Sequence, residues 1–73
     1  MQTTDIMIHI NEPLDATQRQ AIESELREIE GVIAPRFDQP HLLVILYDSE
    51  STNSSTLLNV VKSKGYQAQL IGL

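Results

Sequence analysis

The chain predicts an α+β fold: four antiparallel strands in one layer with two helices on one face, in the order βαββαβ. Three observations carry this. Isoleucine takes every second position from Ile6 to Ile10, apolar residues recur at i, i+4 and i+7 in Ile22, Leu26 and Ile29, and a nearly unbroken apolar run, LLVILY, occupies 42–47. These are the periods of a half-buried strand, an amphipathic helix and a central strand.

Along the first strand, Ile6, Ile8 and Ile10 fall on one side and Met7 and His9 on the other. Pro13 keeps the first helix from starting earlier, and Asp15 serves as its N-cap with Gln18 three residues on, a variant of the capping box. Arg19, Glu23, Glu25, Arg27 and Glu28 lie off the buried stripe, where charges form a solvated face. Gly31 closes this helix. Val32 to Phe37 is a strand interrupted by Pro35, which lacks the N–H of a central strand and therefore belongs at a sheet edge. Asp38, Gln39 and Pro40 supply turn chemistry before the strand His41 to Tyr47. Asp48 to Asn53 is polar loop, after which Asn53 or Ser54 caps a second helix that buries Leu57, Leu58 and Val61 and ends at Gly65. Tyr66, Ala68 and Leu70 alternate with Gln67 and Gln69 in a last strand. Right-handed crossovers turn this order into the ferredoxin-like two-layer sandwich, sheet order 4-1-3-2, in one domain spanning 1–73. That superfold hosts many functions and names none.

Composition narrows the function. A chain of 73 residues buries only roughly 60% of its unfolded surface, so a second chain matters to its stability. Ten acidic residues against five basic ones give a formal charge of −5, which argues against nucleic acid, since phosphate contacts need clustered Lys and Arg. There is no cysteine, hence no disulfide and no thiolate ligand. The start, MQTTDIMIHI, has no basic segment leading into a long apolar one, and no run reaches the length of a membrane span. A cytoplasmic protein without membrane insertion is the expectation.

Three stretches carry a family resemblance: GVIAPRF after the first helix, VILYD, and LLNVVKSKGYQAQL. Together they resemble, over nearly the whole chain, the heavy-metal-associated domain of copper chaperones and metal-transporting P-type ATPases. The shared features are Gly31-Val32 after helix one, a strand ending in Tyr47-Asp48, and a second helix closing in Gly65-Tyr66 followed by Ala68 and Leu70. The resemblance implies that family's scaffold. It also implies a Cys-x-x-Cys metal hook at the start of helix one, and counting back from Ile22 and Gly31 sets those positions at Asp15 and Gln18. Neither supplies a thiolate, so the soft site that selects copper(I) does not carry over.

Two candidate sites follow. The topology gathers His9, Glu12, Asp15, Asp38, His41, Lys64 and Tyr66 at the edge where the hook lies, and imidazole with carboxylate suits zinc or another divalent ion. Met7 and His9 leave one face of a strand, a thioether and imidazole pair compatible with copper. Set against a metal site at His9, Met7, His41 and Asp15, the two histidines have opposite parity and are expected on different faces, Asp15 is already used as a cap, and Asp38 belongs to its turn. The second candidate is the open face of the sheet: if Leu43, Ile45 and Tyr47 face the helices, as the resemblance implies, Leu42, Val44 and Leu46 sit beside Met7 and His9, and an apolar patch there marks an interaction surface. The plainer reading is an over-apolar central strand in a monomer. Enzyme readings find no support: Ser49, Ser51, Ser54 and Ser55 lie where helix caps and turns use serine, and no triad, carboxylate pair or glycine-rich phosphate loop is present. The expected function is thus a non-catalytic module acting by protein association or homodimerisation through the open sheet. Metal handling with non-thiolate ligands, a divalent ion or copper(I), is the alternative, and regulatory small-molecule binding at an interface has no residue that argues for it.

Overall fold

The computed structural model describes residues 2–71. Its elements are β1 (Thr3–Ile10), α1 (Ala16–Arg27), β2 (Val32–Gln39), β3 (Leu42–Asp48), α2 (Ser54–Ser63) and β4 (Ala68–Ile71). The strands form one antiparallel sheet in the order β2-β3-β1-β4, the arrangement expected from the sequence, and a ferredoxin-like two-layer sandwich results.

Side-chain alternation divides the sheet into two unlike faces. The pairs Ile8 with Leu43 and Ile6 with Ile45 turn one face toward the helices. Ile8, Ile10, Leu43, Ile45 and Tyr47 meet Leu14, Ile22 and Leu26 from the α1 side and Leu57 and Val61 from α2 in a single core. Fully burying each aliphatic side chain stabilises the fold by about 1.5–3 kcal/mol, which makes this face the main source of order. The alternate pairs, Asp5 with Leu46, Met7 with Val44 and His9 with Leu42, form the opposite face.

Element ends differ from expectation where long-range contacts take over. α1 stops at Arg27 with Glu28 as its C-cap, so Ile29 reaches the core from the turn after the helix. Gly31 therefore does not close α1; it reverses the chain toward β2 at φ 96°. A Cβ there would lie 2.7 Å from Ser51 Cβ, and its carbonyl accepts from Asp48 N–H at 2.7 Å. Gly65 also has φ 96° but open space around it. It follows the Lys64 C-cap of α2 directly, as a helix-ending glycine does. β2 runs on through Gln39 with an irregular register between Phe37 and Gln39, which moves the turn to Pro40 and His41 and leaves Asp38 on the strand. β4 begins at Ala68 rather than Tyr66. At the β2 edge, Phe37 N–H donates to Glu23 Oε2 at 3.0 Å. Glu23 thus covers an edge donor instead of only facing solvent, one of the ways a protein blunts a free strand.

Candidate functional site in the loop before α1 and on the open sheet

The loop from Asn11 to Asp15 is tied at both ends. Asn11 N–H donates to the Gln67 carbonyl at 2.9 Å, its Nδ2 to Gln67 Oε1 at 3.2 Å, and Gln67 N–H donates to both Glu12 carboxylate oxygens at 3.0 and 3.1 Å. Leu14 is buried in the core, while Arg19 Nη1 donates to its carbonyl at 2.6 Å. At the hook positions, Gln18 N–H donates to Asp15 Oδ1 at 2.7 Å and Asp15 N–H donates to Gln18 Oε1 at 2.9 Å. Each side chain satisfies a helix-terminal donor of the other, a complete capping box. Nothing at these positions fits copper(I): they hold a carboxylate and an amide, both already used to start the helix.

The wider edge cluster does not assemble. Lys64 pairs with Glu25 at 2.7 Å, Glu12 is committed to Gln67, and no group of three or more His, Asp or Glu able to hold an ion occurs among the described residues. His9 and His41, however, do meet. Parity puts them on different faces, yet their ring centroids lie 5.9 Å apart with planes 21° from parallel. His41 escapes strand parity because it stands in the turn before β3, where its Nδ1 lies 2.8 Å from the Ile10 carbonyl oxygen. Ile10 N–H donates to the His41 carbonyl at 2.9 Å. The backbone pairing thus carries the ring to the end of β1, beside His9. His9 Nδ1 is buried and has no hydrogen-bond partner among the described residues.

On the open face, Val44 is the central residue and is 7% exposed. Met7, Leu42, Leu46 and His9 around it are half-buried. Arg36 pairs across from Val44 on β2, and Asp5 pairs with Leu46 on β1, so the apolar centre has one base and one acid on opposite sides. The most exposed large apolar residues among those described, Ile33 at 44% and Leu70 at 41%, belong to the two edge strands.

Sequence reasoning missed two organising residues. Asp48, which the polar pattern sets in the loop and the family resemblance at a strand end, is the last residue of β3. Its carboxylate accepts from Glu50 N–H at 3.0 Å, Gln2 N–H at 3.3 Å and the Ser51 hydroxyl at 3.1 Å. The Glu50 N–H chiefly holds this carboxyl below its usual 3.8; desolvation opposes the effect and the Gln2 and Ser51 bonds add to it. Aspartate accepting from the residue two positions on is a common turn device, so the signal was present in the sequence. Gln67, the other, works through its backbone N–H and carbonyl as well as its side-chain Oε1, and no local pattern marks it.

No protein-family model matches this chain, and no curated protein matches it. Solved structures do. The N-terminal domain of a potential copper-translocating P-type ATPase from Bacillus subtilis, in its Cu(I)-loaded state, is similar with a TM-score of 0.84 and 24% identity over 94% of this chain and 88% of that one. A putative copper-ion-binding protein from Bacillus anthracis follows at 0.83 and 20%, covering 93% and 97%. Oxidised MerP from Ralstonia metallidurans gives 0.82 and 14%, covering 94% and 97%. At these identities the likeness establishes the fold alone, the ferredoxin-like βαββαβ sandwich, here on a chain without cysteine. No helix among the described residues is long and apolar enough to cross a membrane.

Proposed function

We propose that this chain is a non-catalytic module that associates through the open face of its sheet, with a second copy of itself as partner. The observation that carries this reading is the apolar centre made by Met7, Leu42, Val44 and Leu46 on the face that bears no helix. Charge supports the choice of partner. Asp5 and Arg36 flank that centre on opposite sides, so a twofold axis running between Val44 and Leu46 sets the Arg36 of each copy over the Asp5 of the other. A chain of 73 residues also gains much from extra apolar burial. Sedimentation across a micromolar to submillimolar range tests it. The parent is expected to dimerise with concentration, and Leu46→Lys, which sets an ammonium in the apolar centre, to remain monomeric with native circular dichroism. A parent that stays monomeric throughout, and is no more stable than Leu46→Lys, removes the homodimer.

A second reading, metal handling with non-thiolate ligands, is favoured by one observation, the approach of His9 and His41.

A further inference from the structure

The two histidines differ in what their nitrogens are free to do. His41 Nδ1 faces the Ile10 carbonyl at 2.8 Å. A carbonyl oxygen only accepts, so Nδ1 carries a proton and in the neutral ring the lone pair is on Nε2, which is the tautomer that binds a metal. The carbonyl thereby fixes both tautomer and ring orientation, as the outer partners of metal-bound histidines do. Across from it, His9 Nδ1 is buried without a hydrogen-bond partner among the described residues. Buried nitrogens are rarely left so, and each one calls for a reason in the structure.

Spacing supplies that reason. The ring centroids are 5.9 Å apart. Two imidazoles that share one ion, at a metal–nitrogen distance of about 2.0 Å, set their ring centres about 5.5 Å apart in a trigonal site and about 6.3 Å apart in a linear one, on either side of the separation found here. The number of ligands then selects the ion. Zinc in a protein site takes four ligands, three of them from protein even in open sites, and no group of three or more His, Asp or Glu is available among the described residues. Copper(I) is content with two or three, and accepts imidazole and thioether. Met7 lies two residues from His9 on the same face of β1, where it pairs with Val44 as His9 pairs with Leu42.

We propose that His9 and His41 bind one copper(I) ion at the rim of the open sheet, with Met7 as the third ligand. This rests on the metal-handling reading and gives it a place, on the sheet and away from the capped hook positions Asp15 and Gln18.

The test is an anaerobic titration of the full chain with copper(I) against a coloured copper(I) chelator, with the histidine ring nitrogens followed by NMR. One equivalent is expected to bind, shifting His41 Nε2 and a ring nitrogen of His9 while His41 Nδ1 keeps its proton. Losing even an outer-shell partner weakens metal sites roughly 10- to 100-fold, so His9→Gln or His41→Gln is expected to weaken binding by at least that, and Met7→Leu by less. Circular dichroism confirms that the variants fold, and the ring signals of the parent decide the matter without them. Binding that leaves both rings unmoved, or that persists in His9→Gln/His41→Gln, overturns this site while metal handling survives elsewhere on the chain. No binding to the parent overturns both.

Discussion

Placing thiolates at Asp15 and Gln18 separates what the capping box contributes from what a metal contributes there. In Asp15→Cys/Gln18→Cys, α1 loses the bonds of 2.7 and 2.9 Å that start it. Replacing an N-cap aspartate costs about 1 kcal/mol, and the exposed reciprocal bond about 0.5 kcal/mol more. The metal-free variant is therefore expected to lose about 1.5 kcal/mol, out of a total of roughly 4–11 kcal/mol for a chain of this length. At a urea slope of about 1 kcal/mol per molar, the unfolding midpoint falls by about 1.5 M. Copper(I) present at about 100 times its Kd would return about 2.7 kcal/mol and lift the midpoint above its starting value. The assay is urea unfolding by far-UV circular dichroism with and without copper(I), in a His9→Gln/His41→Gln background so that the histidine pair contributes nothing. If the metal-free midpoint does not move, the box is not stabilising α1. If copper produces no rise, thiolates at the two positions do not converge on an ion.

Gly31→Ala and Gly65→Ala form a controlled comparison, because both glycines have φ 96° and only Gly31 faces a neighbour, Ser51 Cβ, at 2.7 Å. The conformational cost, about 1 kcal/mol, applies to both, and the collision adds about 1–3 kcal/mol at Gly31 alone. Equal losses in urea unfolding would refute the packing argument, whereas Ser51→Gly is expected to recover the collision part of the Gly31→Ala loss in a double-mutant cycle. Asp48→Asn tests the depressed carboxyl. Its folded value lies below the ordinary 3.8, so its contribution is present above that value and is lost as the pH falls through the lower, folded one. Asp48→Asn is expected to be less stable than the parent near neutral pH, with the gap closing on acidification; a gap independent of pH would show that the charge is not what the loop depends on.

Several parts of the molecule were legible because their causes lie within a few residues. The capping box needs only Asp15 and Gln18, three apart, and it was read at the right place. Ile6, Ile8 and Ile10 assign the faces of β1 by alternation, and the structure keeps that assignment. The Gly65 ending and the edge position of β2, marked by Pro35, were readable in the same way, and of the two caps offered for α2, Asn53 and Ser54, the structure uses Asn53. Boundaries went astray where a distant partner decided them. Asp38 and Gln39 look like turn residues, yet β3 holds Gln39 opposite Leu42. Gly31 looks like a helix terminator, yet its conformation serves the approach of the loop that contains Ser51.

By itself the sequence determined the element order, the buried faces of β1 and α1 and the absence of any thiolate ligand, since periodicity, capping and residue chemistry are local properties of the chain. Only the tertiary structure decided where His41 goes. Its position depends on the irregular register near the β2–β3 turn and on a backbone pairing with Ile10, 31 residues away. Alternation along a strand says nothing about a side chain once the residue has left the strand. For that reason the meeting of His9 and His41, and the tie of Glu12 to Gln67 across 55 residues, come from the folded chain alone.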